Sequence, residues 1–226
     1  DHGTQVLSCI SGKYNSQIIG TAYDADISLY VTGDDAVYED EFRIEEFNWV
    51  IAAEKADSSG VDIISSSLGY NTFEDSSMDY TTAQLDGQTA VVTKGAEMVS
   101  DRGVLVVNSA GNSGGNAWNL ITFPADGKSV LAVGGVTSSK VRSDFSSFGP
   151  TADDRIKPDV TAMATNTVVI NGQGNIVTSN GTSFASPLVA GFAASLWQSK
   201  PELTNIELKE LIINSSSQAS NPDNSL

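Results

Sequence analysis

Three short apolar runs, set apart by segments of helical length, constrain this chain more than any other feature. They are 61-VDIIS-65, 104-VLVVN-108 and 130-VLAVGGV-136. Each is nearly continuous in apolar residues rather than alternating, which is the pattern of a strand covered on both faces. Between them, Ile44 to Ser59 carries Phe47, Val50, Ile51 and Ala53 among Glu45, Glu46, Glu54 and Lys55, and Gly60 follows. That spacing predicts an amphipathic helix with a glycine stop. A second helix is expected from Thr89 to Asp101, again stopped by a glycine, Gly103. An earlier run, 27-ISLYV-31, reads as another strand, ended by Gly33-Asp34-Asp35. Strand, helix, strand, helix, strand in this order predicts an α/β fold whose parallel strands are joined by right-handed crossovers.

The rest of the chain fits around that frame. Val6, Leu7 and Ile10 give residues 2–11 the spacing of a short buried helix opening near His2. A polar stretch runs from Tyr70 to Gly87, and Val168 to Val177 predicts a hairpin turning at Asn171-Gly172. Two helices are expected near the end, Thr182–Gln198 and Asn205–Ile213. With no repeat and no linker, residues 1–214 read as one domain and 215–226, rich in Ser and Asn, as a frayed tail.

Composition removes several classes of function. With 28 acidic against 12 basic residues the formal net charge is −16, and no Lys or Arg cluster offsets a field that repels phosphate backbones, so nucleic acid is not an expected partner. No apolar run approaches the roughly 20 residues needed to span a bilayer. Cys9 is the only cysteine; flanked by Ile10 and close to Leu7, it reads as a small buried apolar residue rather than a reactive thiol. Asp1 is not a natural start, so the sequence is expected to begin inside a longer protein, with any targeting segment upstream.

Chemistry in an open parallel sheet gathers on loops at the carboxyl ends of the strands. Three such places carry suitable residues: Ser67-Leu68-Gly69, Ser109-Ala110-Gly111-Asn112, and Gly181-Thr182-Ser183 at the start of a long helix. A serine there meets the helix dipole and free N–H groups, which favour an activated oxygen and a neighbouring oxyanion. The plain alternative is that Thr182 or Ser183 is an N-cap. His2 is the only histidine, hence the only candidate for an imidazole base, although near a terminus it also reads as a solvated side chain. A G-x-S-x-G elbow is excluded because Ala185 stands where its second glycine belongs, and no histidine follows the serine. One histidine and one cysteine make no ligand cluster, so no metal is assigned. Gly111-Asn112-Ser113-Gly114-Gly115 lacks the spacing of a nucleotide fingerprint.

His2-Gly3-Thr4, Ser67-Leu68-Gly69, Ala110-Gly111-Asn112 and Gly181-Thr182-Ser183-Phe184-Ala185-Ser186-Pro187, with Val189-Ala190-Gly191 after them, resemble the signature blocks of subtilases. The stretch 145-FSSFGP-150 with Lys157-Pro158-Asp159-Val160 is similar to another block of that family. The resemblance implies peptide-bond hydrolysis on a three-layer α/β/α sandwich with a mostly parallel central sheet. It implies Ser183 as nucleophile, His2 as general base and then acid, and Asn112 as oxyanion donor beside the Ser183 N–H. Ser67, Leu68 and Gly69 would pair with an extended polypeptide substrate, and with Ser109, Ala110 and Gly111 would wall the pocket for the side chain preceding the scissile bond. By the same analogy Thr182 belongs to the substrate site and Thr122 lies near the pocket floor. A threonine there implies a shallow pocket for medium apolar side chains. Most members are exported, which implies a secreted or cell-envelope location.

Two departures qualify this. The family's aspartate lies upstream of the histidine, and only Asp1 precedes His2 here. Adjacent side chains on a helix diverge by about 100°, so Asp1 is not a substitute, and loss of the aspartate costs on the order of 10⁴ in turnover. The upstream segment is therefore expected as a partner supplying that carboxylate. Lys13 to Gln17 is a poor version of the family's calcium loop, so no calcium is assigned, and Asp34–Glu41 and Asp153-Asp154 read as solvated charge. Against the endopeptidase stand a catalytically impaired pseudoprotease or peptide-binding module using the same groove, and an esterase using the same residues.

Overall fold

The computed structural model describes residues 1–33 and 41–224. At its centre β3 (Ile63–Ser66), β4 (Leu105–Ser109), β5 (Leu131–Val136) and β6 (Val160–Met163) form a sheet in that order, every neighbouring pair parallel. α2 (Ile44–Ser58) lies before β3 and α3 (Val91–Ser100) connects β3 to β4. α1 (His2–Ser11), α4 (Thr182–Ser199) and α5 (Asn205–Asn214) complete the helices.

Alternation along the strands divides the core into two layers. Val106 and Ala132 point into a cluster with Trp49, Ala53, Val92, Ala96 and Val99 of α2 and α3. Their neighbours Leu105, Val107, Leu131 and Val133 point the other way, to Ala185, Val189, Ala190 and Ala193 of α4 and Leu208 and Ile212 of α5. A period of two with both sides apolar is what a three-layer sandwich requires.

Polar groups and a close approach hold α2 and α3 together within one layer. Glu46 on α2 is fully buried, and its carboxylate accepts hydrogen bonds from the Tyr80 hydroxyl and from the Val92 N–H in the first turn of α3. An anion therefore sits at the positive end of a helix that lacks a side-chain cap of its own. Gly95 lets α3 approach α2 closely, since a Cβ there would lie 2.6 Å from a methyl of Val50.

Several expectations need correction. Residues 27–31 are not a strand: they lie outside regular structure, with Leu29 and Val31 exposed. A run of β-formers becomes a strand only when a neighbour takes its hydrogen bonds, and no described strand pairs with it. The hairpin exists, as β7 (Thr167–Ile170) against β8 (Ile176–Ser179), but Ile170 pairs with Ile176. The turn therefore spans residues 171–175, and its positive φ belongs to Gly174 (+78°), not to a tight Asn171-Gly172 turn. β6 falls in a segment read only as a motif block, because its strand is short and half-buried. A small antiparallel pair, β1 (Lys13–Tyr14) and β2 (Ile18–Ile19), occupies the loop compared above with a calcium site. Of the acidic segment 34–41, positions 34–40 lie outside the described residues. Beyond α5 the chain forms turns, and the Asn224 carbonyl accepts from the Gly149 N–H.

Candidate active site

The start of α4 organises the site. Its N-cap is Gly181, at φ +149° and ψ +148°, a conformation that side-chain-bearing residues rarely adopt. Thr182 and Ser183 are consequently the first two residues inside the helix, so neither is its cap. Ser183 is 8% exposed, with its N–H among the orphan donors of the first turn.

Pro187 stands four residues after Ser183 and has no N–H to donate, which frees the Ser183 carbonyl from the helix ladder. Ser67 fills that vacancy: its Oγ donates to the Ser183 oxygen at 2.7 Å. The Ser183 Oγ in turn stands 3.5 Å from the Ser67 carbonyl oxygen. The end of β3 and the start of α4 are thus tied through a gap in the helix that the proline creates.

Asn112 is held from the same helix. Its Oδ1 accepts from the Thr182 N–H at 2.9 Å and from the Thr182 hydroxyl at 3.0 Å. A backbone N–H can only donate, so the amide oxygen must face α4 and Nδ2 is the group left to act as a donor. Thr182 Oγ1 also accepts from the Gly111 N–H at 3.3 Å. Thr182 is fully buried, so within the site it braces Asn112 and Gly111.

The two proposed walls are joined beneath. Asn108, fully buried on β4, donates from Nδ2 to the carbonyls of Leu68 at 3.1 Å and Ser109 at 2.8 Å, while its Oδ1 has no partner. Ser109 and Ala110 are buried; Leu68 is exposed. Thr122 lies between the walls: a Cβ on Gly69 would come within 2.2 Å of its Oγ1, and one on Gly111 (φ +109°) within 2.9 Å. Its hydroxyl is buried without a partner. Asn108 escaped the sequence reading because an asparagine ending an apolar strand has no signature; only the tertiary pairing of β3 with β4 reveals what it joins.

His2 opens α1, which packs on α4. Its ring meets that of Phe184, the residue after Ser183, edge-on at 5.9 Å between centroids. Cys9 is buried, and burial pushes its thiol up to about 12, so it stays protonated and inert at neutral pH. The structure thus brings together α1 with His2, the α4 start with Thr182 and Ser183, Asn112, and the segments 67–69 and 109–111 with Thr122. Among the described residues there is no group of three His, Cys, Asp or Glu side chains able to hold a metal ion.

The model of the subtilase family matches residues 1–226. The chain belongs to the subtilase family. It is 34% identical over 212 residues to subtilisin NAT of Bacillus subtilis subsp. natto, covering 92% of this chain and 49% of that protein. Alkaline elastase YaB of Bacillus sp. (strain YaB) is 29% identical over 223 residues, covering 97% and 51%. The subtilase chain therefore spans about half the length of such curated relatives. Among solved structures, sphericase superposes with a TM-score of 0.73 at 25% identity, covering 95% of this chain and 69% of that one. The self-cleaved protease domain of PatA gives 0.76 at 24% identity, covering 97% and 76%, which shows the shared fold.

Proposed function

We propose that residues 1–226 form most of the catalytic domain of a secreted or cell-envelope serine endopeptidase that cleaves extended polypeptides through an acyl-enzyme at Ser183. The observation that carries this is the orientation of Asn112: Thr182 takes its amide oxygen, leaving Nδ2 as a donor beside the helix start that holds Ser183. In the reaction, Ser183 Oγ attacks the scissile carbonyl while His2 accepts its proton, and the carbonyl oxygen gains negative charge. Asn112 Nδ2 and the Ser183 N–H then stabilise that charge, and His2 returns the proton to the leaving amine. Water hydrolyses the ester by the reverse sequence. Every role falls to a side chain or backbone group, so no metal or cofactor is invoked.

The third member of the triad is assigned to a segment upstream of Asp1 in the longer protein. Two features support this. β3 pairs only with β4 among the described strands, leaving its outer edge free, and Ile63 and Ile64 on it are half-buried. Leu29 and Val31 are exposed, as are Ile44, Phe47 and Ile51 on α2, the helix bonded to the end of β3 through Trp49 and Ser66. An apolar sheet edge beside an apolar helix face calls for another strand. The Thr122 side chain between Gly69 and Gly111 supports a shallow pocket for medium apolar residues.

The test is hydrolysis of peptide nitroanilides by the full-length protein, comparing alanine or valine with phenylalanine before the scissile bond. The reading expects turnover that Ser183→Ala abolishes, a preference for the smaller residues, and a gain for phenylalanine in Thr122→Gly. Binding of peptide without turnover by a folded protein would instead leave the peptide-binding module.

A further inference from the structure

We propose that Asp1 and Gln5 are positioning residues, which clip the helical turn bearing His2 to the β7–β8 hairpin that leads into Ser183. The proposal rests on the reading of His2 as general base and Ser183 as nucleophile. Asp1 occupies the N-cap of α1, yet its side chain does not cap the helix. Its Oδ1 instead accepts from the Gly172 N–H at the hairpin turn, at 2.5 Å, and its Oδ2 accepts from Gln5 Nε2 at 3.2 Å. Gln5 Oε1 then accepts from the Ser179 hydroxyl at 2.6 Å, at the end of β8. One turn farther along, Ser8 Oγ accepts from the Ile170 N–H at 2.9 Å, at the end of β7.

Positions 1, 5 and 8 have the i, i+4, i+7 spacing of a single helix face. That face is therefore bonded to both strands of the hairpin and to its turn. A carboxylate accepts only, so Gln5 must present its amide nitrogen to Asp1 and its oxygen to Ser179, which fixes the chain of bonds in one sense. Gly172 permits the contact, because a Cβ there would stand 2.9 Å from Asp1 Oδ1. Beneath the clip, Cys9, Val169 and Phe184 pack together with Val6, Val177 and Leu188, so the polar links close over an apolar seat shared by α1, the hairpin and α4.

The geometric consequence follows from chain order. Asp1 is adjacent to His2, and Ser179 stands four residues before Ser183. Two groups that must meet within hydrogen-bond reach come from elements roughly 180 positions apart, and the clip is a direct tie between the segments flanking them. Misplacement of a reacting group by about 1 Å costs on the order of 10² in rate, so a partial loosening should cost less than that.

The test measures kcat, KM and the rate of fluorophosphonate labelling at Ser183 in the full-length protein, alongside thermal melts. Asp1→Ala and Gln5→Ala are each expected to lower kcat and the labelling rate about tenfold, with KM within about twofold. The double variant should be little worse than either single one, because both break one chain of bonds. Asp1→Asn, which keeps an acceptor for the Gly172 N–H, should recover activity to within about threefold of the parent. Should Asp1→Ala fail to fold, Ser179→Ala probes the same chain from its other end, with a fall in kcat of about threefold expected. Unchanged kcat and labelling in variants that melt like the parent, or losses confined to KM, would overturn the clip alone. Absence of Ser183 labelling in the unsubstituted protein would overturn the functional reading and the clip with it.

Discussion

Around the N-terminus of α4, the Ser183 carbonyl, the Thr182 hydroxyl and N–H, the Asn112 amide oxygen and the Leu68 and Ser109 carbonyls all have partners within the described residues. Elsewhere, Leu29, Val31 and, on α2, Ile44, Phe47 and Ile51 face solvent, and β3 is paired on one edge among the described strands. The first region is tied together bond by bond, with the Asn108 Oδ1 and the Thr122 hydroxyl as its buried atoms without a partner. The second is apolar surface of the kind a protein normally covers. The contrast agrees with the proposed reading, in which nucleophile, oxyanion donor and pocket lie in the bonded region and the group that orients His2 comes from a segment on the open side.

The sharpest way to break this contrast acts on the closed region. Ser183→Ala should lower peptide hydrolysis by the full-length protein by on the order of 10⁶, the size measured for this change in subtilisin. A loss below about 10² in steady-state kinetics would move the nucleophile elsewhere. Asn112→Ala should follow with a loss of about 10²–10³ in kcat and little change in KM, again the magnitude known from subtilisin. A raised KM with kcat unchanged would make Asn112 a binding residue.

On the open side, Ile51 is 63% exposed. If the longer chain covers α2, Ile51→Ala should cost about 2 kcal/mol in urea unfolding of the full-length protein, as for a buried isoleucine. A cost under about 0.5 kcal/mol, normal for a surface position, would mean that this face stays bare.

A further effect tests the buried polar groups beside α3. Asp126 is fully buried, accepting from the Thr93 hydroxyl at 2.6 Å and from the Gly87 N–H at 2.8 Å, and burial pushes its carboxyl up to about 6. Folded, it holds its proton more tightly than unfolded, so its contribution is complete below the ordinary carboxylate range and fades as pH rises through about 6. Asp126→Asn should therefore gain stability relative to the parent between pH 4 and 7, by about 2 kcal/mol in chemical denaturation. A constant difference across that range would show that Asp126 does not titrate there.

What could be read from the sequence follows the same division. β3, β4 and β5 were legible because parallel strands between helices are apolar on both faces, and glycines mark the ends of those helices. The blocks around His2, Asn112 and Ser183 were legible as a resemblance, though not their bonding. That Pro187 frees a carbonyl for Ser67, that Asn108 joins the two walls, and that Glu46 caps α3 all depend on residues far apart in sequence. Residues 27–31 misled for the opposite reason: β-propensity describes a surface ready to pair, and the structure pairs it with no described strand. The hairpin turn misled through Asn171-Gly172, a strong tight-turn signal overridden when Ile170 and Ile176 came into register.

The most direct measurement is fluorophosphonate labelling of the 226-residue chain and of the protein extended upstream through its first strands, each beside its Ser183→Ala form. Rapid labelling at Ser183 is expected in the extended protein, little in the shorter chain, and none in either alanine form. No labelling of a folded extended protein would contradict the proposed function.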